Sequence, residues 1–126
     1  MEKNECIEQL KHRLKELGYN KKKNYWYKKE NDILHCVCVL SSQWNKNDYY
    51  IEIGISKVLI GGKCPTIGNW DMRMPCLNER GQNQNPELTV VFNSLKDLEE
   101  IHDYEGMKSY LSSHQYVKLG KQFSIL

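Results

Sequence analysis

No stretch of this sequence approaches the roughly 18 consecutive apolar residues that a membrane-spanning helix requires. A secretory signal is missing too. Met1 to Leu10 already carries charges inside an amphipathic pattern, without an apolar core or a small-residue cleavage site. Charge of either sign is not in excess: 18 Lys and Arg face 16 Asp and Glu, a net +2. That is too mild a balance for a dedicated nucleic-acid binder, whose domain is much more basic. Internal repeats and low-complexity segments are absent. Phenylalanine is scarce, with two residues against eight Tyr and three Trp. The aromatic content therefore lies in side chains with polar handles, which favour half-exposed positions and contact surfaces. The cysteines, Cys6, Cys36, Cys38, Cys64 and Cys76, are odd in number. Without a signal they argue against a disulfide framework and for reduced thiols in a reducing cytoplasm.

What is present is ordinary for a folded domain: 126 residues, 40% hydrophobic and 27% charged. This length suits one domain, residues 1–126, with one core of its own. Ile7, Leu10, Leu14 and Leu17 recur at three- and four-residue steps and predict a helix over about residues 3–17. Gly18 suits a left-handed stop, after which Tyr19 packs back on the final turn. Lys21 to Lys23 read as a basic link. Residues 24–30 and 33–41, separated by the Asn31-Asp32 turn signal, predict a hairpin whose second strand is buried on both faces.

Residues 41–48 read as a loop. In 49–56, Tyr49, Ile51, Ile53 and Ile55 alternate with Tyr50, Glu52, Gly54 and Ser56, the pattern of a strand with one buried face. Trp70 to Met74 predicts a fourth strand, ended by Pro75. Asn78 to Pro86 is loop-like, and Leu88 to Phe92 reads as a short β segment. Ser94 with Asp97 resembles a capping box opening a helix through Leu95, Leu98 and Ile101. A last helix carries Met107, Tyr110 and Leu111 behind an Asp103 cap. The tail, Phe123-Ser124-Ile125-Leu126, is apolar enough to dock. A helix, then a run of strands, then helices indicates an α+β fold: an antiparallel meander of about four strands with helices packed on one face.

Reactive side chains are present without a reactive pattern. Cys36 and Cys38 point the same way from a strand, and Cys64 and Cys76 could complete four thiolates. The second pair, however, has eleven intervening residues, where structural zinc prefers two to four. His12, His35, His102 and His114 form no i, i+4 pair, and His35 diverges from the neighbouring cysteines on a regular strand. Gly61-Gly62-Lys63-Cys64 lacks the spacing of a phosphate loop and reads as a turn. No catalytic residue, metal or cofactor is therefore expected, and the domain reads as non-enzymatic. The basic-aromatic run 21–29 could track a phosphate backbone; as an edge strand guarded by lysines it has a simpler role. Glu52 and Arg73 are placed as a cross-strand ion pair. Arg73 with Trp44, Tyr50, Trp70, Tyr25 and Tyr27 makes a candidate anchor cluster, because Trp, Tyr and Arg dominate interface hot spots.

Several of these segments together resemble one family. Leu17-Gly18-Tyr19, then Lys21-Lys22-Lys23-Asn24-Tyr25-Trp26-Tyr27, then Ser42-Gln43-Trp44 and Tyr50-Ile51-Glu52-Ile53-Gly54-Ile55, and the Trp70-Asp71-Met72-Arg73-Met74 strand, are similar to the bacterial domain of unknown function 4304 family over about residues 5 to 75. The resemblance implies a small cytoplasmic α+β domain. It also implies, for some such domains, a place beside polymorphic toxins as immunity proteins. No functional residue comes with it. The expectation is a protein-binding domain, in its sharper form an immunity protein whose partner is a cognate toxin domain. The alternative is a nucleic-acid-associated module using 21–29.

Overall fold

Helical periodicity and a glycine stop are realised at the N-terminus of the computed structural model, which describes residues 2–114 in full and the backbone of 116–119 and 122–125. α1 spans Lys3–Glu16 and buries Cys6, Leu10 and Leu14 completely, with Ile7 and Leu17 packed at the margin. Each fully buried aliphatic stabilises the fold by about 1.5–3 kcal/mol. Gly18 takes φ +93°. The Tyr19 amide donates to the Leu14 carbonyl (2.9 Å) and the Gly18 amide to that of Lys15 (3.1 Å). That is the Schellman arrangement expected of a glycine just past a helix end. Tyr19 folds back into the core.

The strands follow as β1 (Asn20–Lys22), β2 (Tyr25–Glu30), β3 (Ile33–Ser41), β4 (Tyr49–Lys57) and β5 (Met72–Pro75), each antiparallel to the one before. β1 corrects the basic link. Lys23 at φ +56° turns the chain, and Asn20 to Lys22 pair with Tyr25 to Tyr27. Asn31 at φ +54° makes the second hairpin turn. Residues 58–71, between β4 and β5, hold two 3₁₀ turns, Ile60–Gly62 and Ile67–Asn69. Gly61 and Gly62 both have positive φ, so Gly61-Gly62-Lys63-Cys64 is a turn. Trp70 precedes the strand that was expected to begin with it.

After the 76–87 loop, α2 runs Leu88–Leu98 and α3 runs Tyr104–Ser113. The short β segment expected at Leu88 to Phe92 is helix instead, and Ser94 lies inside that helix, so it caps nothing. Leu88, Val91, Phe92, Leu95 and Leu98 already have helical spacing. Packing of that stripe on the sheet overrides the β-branched character of Val90 and Val91. Asp103 does cap α3, its Oδ1 accepting the Gly106 amide at 2.7 Å.

The sheet extends beyond the expected four strands. β6 (Tyr116–Leu119) and β7 (Gln122–Ile125) form a hairpin, and β7 lies parallel to β5, giving the order β1-β2-β3-β4-β5-β7-β6. The tail expected to dock thus contributes backbone to the sheet. Its side chains, and Leu126, lie outside the described residues.

All three helices pack on one face. Cys6, Leu10 and Leu14 of α1, Val91, Leu95 and Leu98 of α2, and Met107 of α3 meet Trp26, Ile33, Val37, Val39, Ile51, Ile53, Ile55, Met72 and Met74 of the sheet. The opposite face carries a second, smaller cluster of Tyr27, Cys36, Cys38 and Trp70. That cluster corrects the reading of β4 as half-buried: Gly54 and Ser56 are buried as well, because residues 58–71 fold over their end of the sheet, and Glu52 is buried beside Arg73. No helix among the described residues is long and apolar enough to cross a membrane.

Candidate interaction face

Strand register decides which side chains share the face that the helices leave free. Residues directly opposite in an antiparallel pair point the same way. Tyr25 opposes Cys38, which opposes Glu52. Tyr27 opposes Cys36, which opposes Gly54, which opposes Arg73. Leu40 opposes Tyr50. Cys36 and Cys38 share this face, as expected, and His35 points to the other.

Half of the face is roofed. The Pro65 carbonyl accepts the Tyr27 hydroxyl at 2.6 Å and the Trp70 indole N–H at 3.3 Å, and the Ile67 amide donates to the Tyr25 hydroxyl at 3.1 Å. The two tyrosine tips thus tie the 58–71 segment to β2. Tyr25 and Tyr27 stack with centroids 5.7 Å apart, and Trp70 meets Tyr25 edge-on at 6.2 Å. Trp70 also fills the notch above Gly54. A Cβ on Gly54 would lie 2.2 Å from the Met72 carbonyl oxygen and 2.7 Å from Trp70 Cε3.

The other half is open. Tyr25, Leu40, Tyr50 and Arg73 are each partly exposed there. Arg73 grips the Glu52 carboxylate with two parallel bonds, Nε to Oε1 and Nη2 to Oε2. The expected ion pair exists, but Glu52 is only 6% exposed and sits diagonally from Arg73, so the pair is partly buried and not a surface decoration. The bond to Glu52 holds the guanidinium pKa above its usual value. Of the six candidate contact residues, Tyr25, Tyr27, Trp70 and Arg73 gather around one spot, with Tyr50 farther along β4 beyond Glu52. Burial keeps Tyr27 and Trp70 beneath the surface, where they frame the face. Trp44 stands apart, 88% exposed on the 42–48 loop.

That loop is rigidly joined to its neighbour. Asp48 accepts from the Gln84 and Asn85 side-chain amides at 2.6 and 2.9 Å, and Asn85 Oδ1 accepts the Tyr49 amide at 2.9 Å. Gln84 bridges to Tyr50. Sequence reasoning had no means of joining 41–48 to 78–86, because the link is made by single polar side chains some 36 residues apart.

The thiols are divided. Cys36 and Cys38 lie under the roofed face with Cys64 beside them, while Cys6 and Cys76 sit in the main core. Burial pushes the Cys36 thiol well up and Cys38 to about 11, and it raises Cys76 to about 12. These are inert, protonated thiols, since the thiolate is the reactive form. All five cysteines are free. Among the described residues no group of three or more His, Cys, Asp or Glu side chains could hold a metal ion.

A polar cluster that no sequence motif announced lies at the margin of the helix-covered face. Glu30 receives His35 Nε2 at 3.3 Å and His102 Nδ1 at 3.0 Å. Glu99 receives Lys28 Nζ at 3.0 Å and the Tyr19 hydroxyl at 3.3 Å. Burial lowers the pKa of His35, partly offset by Glu30. Burial by itself would raise the Glu30 carboxyl, but the hydrogen bonds from His102 and His35 outweigh it and hold it low. The Asn31 side chain donates to the His102 carbonyl at 2.7 Å, and the Tyr104 amide to Asp32 at 3.0 Å. Together these contacts fasten the β2–β3 turn to the α2–α3 link.

No curated protein and no solved structure matches this chain significantly. Residues 10–61, from the middle of α1 through β4 into the first 3₁₀ turn, match the model of the family described as a domain of unknown function (DUF4304), so the resemblance that the motifs carried is shown over that span.

Proposed function

We propose that this domain binds another protein through the open half of its second sheet face, and that it serves in the cytoplasm of a bacterium as the immunity partner of a toxin domain. One observation carries the binding reading. Leu40 and Tyr50 lie partly exposed beside the Arg73–Glu52 pair, and Tyr25 is partly exposed at the edge of the segment 58–71. Aromatic and arginine side chains on a rigid frame are the composition of interface anchors. Trp44, held on the 42–48 loop, adds a second exposed aromatic. The immunity reading rests on family resemblance, an associational warrant, and buried free thiols are consistent with a reducing compartment.

Packing also weakens the nucleic-acid alternative. In the 21–29 run, Trp26 and Tyr27 are buried, and Lys28 is engaged with Glu99 on the helix side. Base stacking needs open aromatic faces alternating with free cations, and only Tyr25 keeps one partly open. Lys21 and Lys22 lie on the outermost strand β1, where lysines guard an edge.

The test is growth rescue. Cells expressing the toxin domain encoded beside this protein should survive when it is co-expressed and die with the Trp44→Ala/Tyr50→Ala double variant, which still folds by circular dichroism. Failure of the wild-type protein to rescue refutes the immunity role. Rescue undiminished by the double variant refutes this face.

A further inference from the structure

We propose that the contact between the β2–β3 turn and the α2–α3 link is an acid-sensitive latch: when His35 takes up a proton, the link and the start of α3 open from the sheet. The latch lies at the margin of the helix-covered face, so it stands or falls apart from the protein-binding reading above.

His35 is 1% exposed and projects from β3 between Lys28 of β2 and Ile55 of β4. Its Nε2 lies 3.3 Å from a Glu30 oxygen. A carboxylate only accepts, so this nitrogen carries the proton of the neutral ring. The Nδ1 atom is buried and has no hydrogen-bond partner among the described residues. A second proton would therefore create a charged ring whose new N–H has no acceptor, and such a group is costly to keep away from water. Burial lowers the pKa of the ring, the bond to Glu30 opposes that shift, and Lys28 adds to it.

The surrounding charges are mixed. Glu30 and Glu99 attract an imidazolium at His35 and Lys28 repels it, and burial outweighs the two carboxylates. Lys57 of β4 and Lys108 of α3 add positive charge on this side, both over the Tyr104 ring. Asp32 and Asp103 accept the Tyr104 and Gly106 amides at the two ends of the contact. A protonated His102 would be drawn to Glu30 and hold the latch shut. Its side chain is 64% exposed, however, and an exposed ion pair contributes little.

The buried charge is relieved when water reaches the ring, and the α2–α3 link is the element that gives way. The link is fastened to the β2–β3 corner by few groups: His102 shares Glu30 with His35, Asn31 holds the His102 carbonyl, and Asp32 holds the Tyr104 amide. α3 behind it buries Met107 alone, whereas α1 and α2 bury three side chains each. Local openings of low free energy occur where few apolar contacts are lost.

Amide hydrogen exchange of the full chain, corrected for intrinsic rates, tests the latch. Once open, the ring titrates near its ordinary 6.5, so going from about pH 7.5 to about 5.5 should raise the opening constant by up to about tenfold. The Ile101, Tyr104 and Met107 amides, each hydrogen-bonded in the closed state, should be less protected than the amides of β3 and should lose protection by that factor. His35→Gln removes the ionisation and should flatten the response, while His102→Gln should leave it in place. Protection of these three amides equal to that of β3 would mean that they open only with the whole fold, and overturns the latch. A response absent from the wild-type protein, retained in His35→Gln or lost in His102→Gln overturns it as well. An NMR titration of the wild-type imidazoles decides the matter even if a variant fails to fold: a His35 ring that titrates at 6.5 or above refutes the latch.

Discussion

Gly54 is the point at which the second face can be tested most sharply, through the single methyl group of Gly54→Ala. The added Cβ would stand 2.2 Å from the Met72 carbonyl oxygen and 2.7 Å from Trp70 Cε3. The first distance is roughly 1 Å inside the closest ordinary carbon–oxygen approach. Met72 belongs to β5, which is hydrogen-bonded to β4, so the oxygen cannot retreat without opening the ladder. Trp70 is 1% exposed and its indole is tied to Pro65, so the ring cannot swing aside cheaply. Overpacking usually costs about 1–3 kcal/mol, and two immovable obstacles place this case at about 3 kcal/mol or more. Against a typical domain stability of about 5–15 kcal/mol, that is a large fraction. It corresponds to a fall in Tm of roughly 10–15 °C.

Urea unfolding followed by tryptophan fluorescence reads it directly, because Trp26 and Trp70 are both buried in the folded state. Gly61→Ala is the internal control. Nothing lies within 4 Å of its Cβ, but φ is +81°, so only the left-handed backbone penalty of about 1–2 kcal/mol applies. A Gly54→Ala midpoint no lower than that of Gly61→Ala would refute the packing of Trp70 over β4.

Arg73→Ala strands the Glu52 carboxylate beneath the surface. Breaking a buried pair costs about 3–5 kcal/mol, and the guanidinium's one-third exposure reduces this to about 2–3 kcal/mol. Adding Glu52→Gln should return at least half, and an additive double mutant by urea melts would contradict the pairing. Acidification should destabilise the fold from two directions. His35 titrates below its ordinary 6.5 when folded, so its contribution is complete above about pH 6.5 and is lost as pH falls toward the folded value. Glu30 is held below 4.5, so its contribution is lost only at lower pH still. The pH dependence of the urea midpoint between roughly pH 7.5 and 5.5 should flatten in His35→Gln, and an unchanged slope would remove His35 from the account. Asp103→Ala should cost about 1 kcal/mol through the lost α3 cap, read by the same melts; no loss would mean the cap is not formed in solution.

Local pattern decided much of this protein. The helix stop at Gly18, the Asn31 turn, the doubly apolar β3, the alternation in β4 and the Asp103 cap are all written within a few neighbouring residues, because each depends on one backbone torsion or one short period. Where local signals competed, the sequence misled. Leu88 to Phe92 has both strand-forming residues and helical spacing, and burial against the sheet chose helix.

The candidate contact residues were legible by type and not by exposure. Trp70 and Tyr27 turn out to be framework because Pro65, some 38 residues from Tyr27, reaches back to hold both of them. The residue types and register positions that place Tyr25, Leu40, Tyr50 and Arg73 on one side of the sheet are fixed by the chain itself. That Arg73 reaches diagonally to bury Glu52 was decided by tertiary structure, and that Gly54 must lack a side chain and that half of the face stays open were decided by the tertiary course of residues 58–71. Those residues carry no periodic pattern to announce that they fold back over β4.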